Sequence, residues 1–94
     1  EPMREARIEE HLKRRVEARG GEVRKASWQG RRGAPDRLVL LEDRLPTFVE
    51  LKRPGLTADP HQEREHKKLR KYHCRVIVLD TKEKIDAWLE TGEV

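Results

Sequence analysis

Two carboxylates and a lysine are spaced so that folding could bring them together. Asp36 precedes the run Phe48-Val49-Glu50-Leu51-Lys52, and thirteen residues separate it from Glu50. Alternate side chains of a strand point to one face, so Glu50 and Lys52 share a face while their neighbours pack on the other. If Asp36 begins the adjacent antiparallel strand, its carboxylate lies beside that of Glu50. Two anionic oxygen donors and an ammonium group suit a Mg²⁺ ion that holds a phosphate.

The first element predicted is an amphipathic helix from about Arg4 to Arg19, because Ile8, Leu12 and Val16 recur at helical spacing before two glycines. On a helical wheel Glu5 lies about 20° from the mean direction of these apolar residues, which places it facing inward. Such a carboxylate either belongs to a favourable helix N-terminus or joins a buried polar site. The wheel leaves both interpretations open.

Three strands should follow, over residues 23–27, 37–42 and 47–52, and the last two have the spacing of a hairpin. The stretch 28–35 contains several glycine and proline breaks, so it reads as a loop that delivers Asp36 to its strand.

A second helix is predicted from Asp59 as N-cap, with Pro60 at the first helical position and Gln62 three residues after the cap. Its inward face should carry Gln62, His66 and Leu69. A strand over 75–80 and a short helix capped by Thr81 complete the chain. The strand–helix–strand crossover makes its two strands parallel, so the prediction is an α/β domain of order αβββαβα with a mixed sheet.

Composition favours a polyanionic partner. The chain has 94 residues, 43% of them charged, and a formal net charge of +4. This length predicts one domain, over residues 3–94, with Glu1-Pro2 as a remnant of expression or processing. Residues 13–37 carry a net charge of +6 and residues 61–75 one of +4, which suits a nucleic acid. The modest core predicted for so charged a chain makes self-association plausible.

Cysteine content and hydropathy exclude other classes of protein. The single cysteine, Cys74, excludes an intramolecular disulfide and any zinc site built on two thiolates. No apolar run approaches the roughly 20 residues of a membrane span, and the charged N-terminus does not resemble a signal peptide. We therefore expect a cytoplasmic protein without membrane contact, in the host cytoplasm if it is viral.

Taken in order, the motifs resemble a stand-alone VRR-NUC domain of viral or bacterial type, a branch of the PD-(D/E)xK nuclease superfamily. The resemblance runs from Glu5 to Asp80 and is carried by the following residues: Glu5, Ile8, Leu12, Gly20-Gly21, Gly30, Gly33, Pro35-Asp36-Arg37, Phe48-Val49-Glu50-Leu51-Lys52, Gln62 and Glu65-His66. It implies a restriction-endonuclease-like αβββαβ core, a mixed four-stranded sheet flanked by helices, and an extra C-terminal helix.

The resemblance also implies a Mg²⁺- or Mn²⁺-dependent DNA endonuclease whose catalytic residues are Glu5, Asp36, Glu50, Lys52 and Gln62. Asp36, Glu50 and the main-chain carbonyl of Leu51 would bind the metal, and Glu5 would either bind it through water or accept a proton. Lys52 would orient water and stabilise the phosphate. Gln62 would position Lys52 or a substrate phosphate. No small-molecule cofactor is expected. Members of this type are associated with branched DNA, and a homodimer would match the symmetry of a four-way (Holliday) junction.

Six residues are predicted to contact the nucleic acid: Lys25, Arg31, Arg32, Arg37, Arg53 and His66. For His66 a packing role remains equally open. Trp28 could stack on an unpaired base or pack in the core, whereas His11 and His61 are expected to face solvent. The chain offers no recognition helix or zinc finger, so backbone and shape rather than sequence should govern substrate choice.

Other functions remain open. Glu50 and Lys52 alone would be an ordinary surface ion pair, and a non-catalytic DNA-binding module would use the same basic residues. A nuclease subunit that is active only in a larger complex would explain the small core and an exposed last helix.

Overall fold

The computed structural model describes the backbone of residues 2–94 and the side chains of residues 5–94. Its elements are α1 (Pro2–Ala18), β1 (Glu22–Lys25), β2 (Arg37–Leu40), β3 (Thr47–Leu51), α2 (Pro60–Lys71), β4 (Arg75–Leu79) and α3 (Lys82–Thr91). The predicted order αβββαβα is confirmed. The strands end one or two residues earlier than the sequence indicated; after β2, for example, Leu41 is apolar but already lies outside the strand, at the start of the turn.

The four strands form one mixed sheet in the order β1-β2-β3-β4. β1 pairs with β2 and β2 with β3 in antiparallel fashion, whereas β3 and β4 run parallel. The register sets Leu38 opposite Phe48 and Glu50 opposite Val78, so these four side chains point to the same face of the sheet. The predicted hairpin and crossover are both present.

α1 and α3 cover one face of the sheet. Their apolar residues form one core with the residues of β2, β3 and β4 that point the same way, and this cluster comprises Ile8, Leu12, Val16, Val39, Val49, Leu51, Leu79, Ile85, Trp88 and Leu89. Trp88 is only 2% exposed. The expectation of an exposed last helix is therefore wrong, because α3 completes the main core rather than waiting for a partner.

α2 lies over the opposite face, which carries Phe48 and Glu50. Its N-terminus has the predicted capping box: the Gln62 amide N–H donates to Asp59 Oδ1 at 2.9 Å, and the Asp59 N–H donates to Gln62 Oε1 at 3.0 Å. The buried residues are Glu65, His66 and Leu69. Gln62 is only half-buried, so its predicted inward position is corrected, since the capping box holds its side chain at the helix end.

α3 begins at the predicted cap, with Thr81 accepting the Lys84 amide N–H at 3.0 Å. Its C-terminus receives Arg44 from the turn after β2, whose guanidinium donates to the carbonyls of Trp88 and Leu89 at 3.0 and 2.9 Å. Over residues 2–94, none of the three helices has both the length and the apolar character that a bilayer crossing requires.

Candidate active site

The loop that delivers Asp36 is fixed by its own packing. The Trp28 indole N–H donates to the Pro35 carbonyl at 2.7 Å, and its ring lies 5.3 Å from that of Phe48 on β3. Because tilted aromatic pairs at this separation attract one another, the indole anchors the loop to the sheet. Of the two roles left open for Trp28, the structure shows packing.

The same loop lies directly against the first turn of α2. Gly33 has φ +82°, and a Cβ placed there would lie 2.7 Å from both the carbonyl carbon and the oxygen of His61. Nearby, Arg31 pairs with Glu65 through contacts of 3.1 and 3.4 Å, and Glu65 is nearly buried. These contacts join loop and helix, so the sequence-predicted phosphate ligand Arg31 is engaged with protein in this structure.

We predict that Gly33→Ala lowers stability and nuclease activity together, since the added methyl group meets the α2 backbone and shifts the loop that carries Asp36. Gly30→Ala is the matched control, because Gly30 also has positive φ, +73°, but nothing lies within 4 Å of its Cβ position. Each variant should lose about 1–2 kcal/mol from the left-handed conformation, and Gly33→Ala more. Urea unfolding measures both losses, and equal losses would contradict the close approach.

Glu50 is the most perturbed carboxyl group of this region. It projects from the centre of the sheet with its side chain 12% exposed. Burial raises the pKa of Glu50 to about 7; Lys52 opposes the rise, and Asp36 and Asp59 add to it. The register of β2 and β3 pairs Arg37 with Val49 and so sets Asp36 beside Glu50, and Lys52 follows Glu50 by two residues, which brings the three groups together as their spacing predicted.

His66 reaches Glu50 from α2. Its Nε2 lies 3.5 Å from Glu50 Oε1, which is long for a hydrogen bond, and this buried nitrogen has no hydrogen-bond partner among the described residues. Burial, together with the cations Arg70 and Lys52, lowers the pKa of His66. A neutral imidazole therefore borders the Glu50 carboxyl at pH 7, and the predicted contact of His66 with nucleic acid stays a prediction.

The carboxylate of Asp36 is held by its neighbour in sequence, Arg37. Its Oδ1 forms an ion pair with Arg37 Nη1 at 2.7 Å, and Arg37 Nη2 lies 2.8 Å from Glu9 Oε2. The Arg37 side chain is only 13% exposed, whereas that of Asp36 is 62% exposed. Arg37 therefore ties the start of β2 to α1 and orients the Asp36 carboxylate, an arrangement that suits a positioning role better than the predicted phosphate contact.

Comparison with known proteins identifies the family of this chain. No family model matches the chain. The chain is 46% identical over 81 residues, 86% of its length, to the "Putative nuclease p44" of Acyrthosiphon pisum secondary endosymbiont phage 1, and the match covers 87% of that protein. A solved structure described as "VRR_NUC domain" matches with a TM-score of 0.86 and 42% identity, over 96% of this chain and 98% of that one. The chain belongs to the VRR_NUC nuclease family.

Membership confirms the resemblance and the restriction-endonuclease-like fold inferred from the sequence. The expected inward direction of Glu5, however, is wrong, since its side chain is exposed in the first turn of α1. Among the described side chains of that helix, the first buried one is Ile8, and the packed stripe then continues through Leu12 and Val16. Of the two roles left open for Glu5, its place favours the helix N-terminus, and its catalytic role stays a prediction.

Gln62 carries a structural role in this VRR_NUC domain. Its side-chain oxygen closes the capping box, and its amide N–H holds the pKa of Asp59 below the usual range. The side-chain NH₂ remains available as a donor toward a phosphate, whereas the oxygen that could accept from Lys52 is already used in the cap. The cap can be predicted from the sequence. The negative charge that Asp59 adds near Glu50 cannot, because it depends on how α2 lies over the sheet.

The remaining predicted nucleic-acid contacts are spread over the surface. Arg32 is exposed in the loop before β2, and Arg53 is half-buried just after β3. Lys25 is exposed on β1, and its register with Arg37 places it on the sheet face opposite Glu50. Only contact with DNA itself can test these residues.

The donor set fits a hard divalent cation. Among the described residues, no group of three or more His, Cys, Asp or Glu side chains is arranged to hold a metal. A metal here would therefore rely on the Asp36–Glu50 pair, main-chain oxygen and water, which is how Mg²⁺ is usually bound. Burial is the main reason that the pKa of Glu50 is raised, and the charge of Lys52 does not offset it, so a cation beside the carboxylate would be accommodated favourably.

Proposed function

We propose that this VRR_NUC nuclease is a Mg²⁺- or Mn²⁺-dependent, structure-selective DNA endonuclease that acts as a homodimer on branched DNA such as four-way junctions. The observation that carries the proposal is that the two central strands bring Asp36, Glu50 and Lys52 close together, with Glu50 largely desolvated. This combination suits phosphodiester hydrolysis, in which negative charge increases on the phosphoryl oxygens.

Each residue has a distinct task in that reaction. Asp36 and Glu50, with the Leu51 carbonyl, would hold the divalent ion, which supplies a nucleophile at neutral pH and charge stabilisation. Lys52 is half-buried beside them. Its ammonium group would orient the attacking water and stabilise the charge of the pentacovalent phosphate. His66 and the sheet exclude bulk water from Glu50, which strengthens these interactions.

The substrate part of the proposal follows from charge and symmetry. Basic residues are abundant along the chain, with a net +6 over residues 13–37, yet no recognition helix is available for base reading, which favours selection by backbone and shape. A two-fold homodimer would present two sites to a junction that needs two opposed cuts. The half-buried free thiol of Cys74 suits the reducing cytoplasm in which we expect the nuclease to act.

The experiment is cleavage of end-labelled four-way junction, flap, single-stranded and linear duplex DNA in Mg²⁺, Mn²⁺ or EDTA. We expect paired nicks in the junction that require a divalent ion and that Lys52→Ala reduces at least about 100-fold. Lys68→Ala is the control, because Lys68 is exposed on α2. If the wild type cuts none of the substrates, the proposed nuclease activity is refuted. If it cuts only linear duplex, the proposed selectivity for junctions is refuted.

Sedimentation equilibrium with and without junction DNA tests the homodimer separately. We expect two protein chains on each junction. A single bound chain that still makes both nicks would refute the dimer and leave the chemistry intact.

A further inference from the structure

A groove runs along the α2 face immediately beside the candidate active site. It has a volume of about 680 Å³ and lies between the loop 55–58, α2 and the end of β4. His66, which contacts Glu50, lines it, and so does Val78, the register partner of Glu50 on β4. The groove therefore begins where the site ends, on the side of Glu50 away from Asp36.

The charges of the groove are arranged for an anion. Its cations are Lys67, Arg70 and Lys84, and its carboxylates are Glu63 and Asp80. Asp80 is already engaged, because it pairs with Lys84 at 2.8 Å and accepts the Gly55 amide N–H at 2.9 Å. Within residues 5–94, neither Lys67 nor Arg70 forms an ion pair.

Arg70 is also fixed in direction. Its guanidinium donates to the Val76 carbonyl at 2.6 and 3.1 Å, and a carbonyl orients a guanidinium without neutralising its charge. Lys67 lies one turn before it on the same side of α2. Two positive charges thus follow the groove in sequence, in the way that phosphates follow one another along a strand.

One apolar side chain stands out in this charged groove. Leu56 is 44% exposed and belongs to the turn that follows Lys52, where its amide N–H donates to the Arg53 carbonyl at 3.0 Å. The Gly55–Asp80 hydrogen bond anchors this turn to β4. An anchored, exposed leucine beside positive charges matches a ligand with both an anionic backbone and an apolar ring face.

We propose that the groove binds an unpaired nucleotide of the substrate strand next to the phosphate that is cut, with Lys67 and Arg70 at its phosphates and Leu56 against its base. The inference rests on the proposed function, since it names the strand path into that site. Its volume lies within the range of about 300–1,000 Å³ typical of pockets for small ligands, a class that includes one nucleotide. Unpaired nucleotides occur at branch points, so the groove would supply structure selectivity without base reading.

The phosphate contact is tested by the salt dependence of binding. Binding of a flap and a linear duplex is measured in EDTA by anisotropy at several salt concentrations, for wild type, Lys67→Ala and Lys68→Ala. Lys67→Ala should reduce the slope of log K against log salt for the flap by about 0.7, the value for one single-strand contact. Lys68→Ala should leave the slope unchanged, because Lys68 is exposed but does not line the groove.

The base contact is tested by 2-aminopurine placed in the flap strand next to the cleavage position mapped for the wild type. Its fluorescence should change on binding of wild type and of Leu45→Ala, and this change should be lost in Leu56→Ala. Leu45 is the matched control, since it is 62% exposed in the turn between β2 and β3 and does not line the groove. Thermal melts verify that every variant is folded.

The outcomes separate the two proposals. Cleavage by the wild type combined with an unchanged salt slope in Lys67→Ala, or an unchanged fluorescence signal in Leu56→Ala, overturns the groove and leaves the nuclease intact. If Lys67→Ala reduces the salt slope equally for the flap and for the linear duplex, the groove binds the backbone of paired DNA, which also overturns the groove proposal. No binding or cutting of any DNA by the wild type overturns both.

Discussion

Glu50→Gln should abolish nuclease activity and at the same time raise the stability of the protein above pH 7. The variant keeps the shape of the side chain but removes the anionic oxygen that the proposed chemistry requires, so we expect cleavage to fall by at least about 1,000-fold. The stabilisation arises because burial raises the pKa of Glu50 to about 7. In the folded wild type, ionisation of this carboxyl group is therefore unfavourable.

The sign of the pH effect follows from proton binding. Between the unfolded pKa of 4.5 and the folded pKa of about 7, the folded state binds more protons than the unfolded state. Stability therefore falls as the pH rises through this window. The shift corresponds to about 3 kcal/mol that is lost by pH 8. The glutamine variant does not titrate and has no such loss. The stabilities of the wild type and of Glu50→Gln should therefore differ little at pH 5 and most at pH 8.

The measurement is thermal unfolding in EDTA across pH 5 to 8. At pH 8 the melting temperature of Glu50→Gln should exceed that of the wild type by on the order of 10 °C, since 1 kcal/mol shifts a domain of this size by roughly 4–8 °C. Glu42→Gln is the control, because Glu42 is exposed in the turn after β2. If the melting temperature of Glu50→Gln at pH 8 is equal to or lower than that of the wild type, the charge of Glu50 is not unfavourably buried.

Trp88→Ala should have the largest effect on stability. Trp88 is 2% exposed in the core shared by α1, α3 and the sheet, and the Arg44 guanidinium lies 5.0 Å from its ring centroid. Truncating a buried tryptophan costs about 3–5 kcal/mol. A domain of this size has a total stability of about 5–14 kcal/mol, so the variant should lose a large part of it.

Urea unfolding monitored by circular dichroism measures this loss, with Tyr72→Ala as the control, since Tyr72 is 64% exposed. A loss below about 1 kcal/mol for Trp88→Ala would mean that α3 is a peripheral addition to the domain. The expected large loss would show that α3 belongs to the folding unit and that its apolar face is already used in the core of the domain.

The two predictions describe opposite regions of one small domain. The α1–α3 side of the sheet is apolar and tightly packed, whereas the α2 side holds carboxyl groups near a neutral histidine and one half-buried lysine. An unfavourable charge at Glu50 is expected where function requires it, because an arrangement that neutralised it fully in the free protein would leave less to gain from a cation. The core on the other face provides the stability that this site requires.

The sequence by itself determined the element order, the helix caps and the triplet of Asp36, Glu50 and Lys52. Each of these depends on short-range rules: alternation along a strand, helical spacing, and the hydrogen bonds at a helix end. The Asp59–Gln62 capping box could be read for this reason. The two strands that carry Asp36 and Glu50 are joined by a short turn, so their pairing also followed from local spacing.

Only the tertiary structure decided which side chains surround those residues. The direction of Glu5 depends on where α1 meets the sheet, and the pairs Arg31–Glu65 and Arg37–Glu9 join segments that are far apart in sequence. The contact of His66 with Glu50 and the groove beside it depend on how α2 lies over the sheet. Local periodicity gives a helix its faces but not its partners, because these are selected by packing across the whole domain.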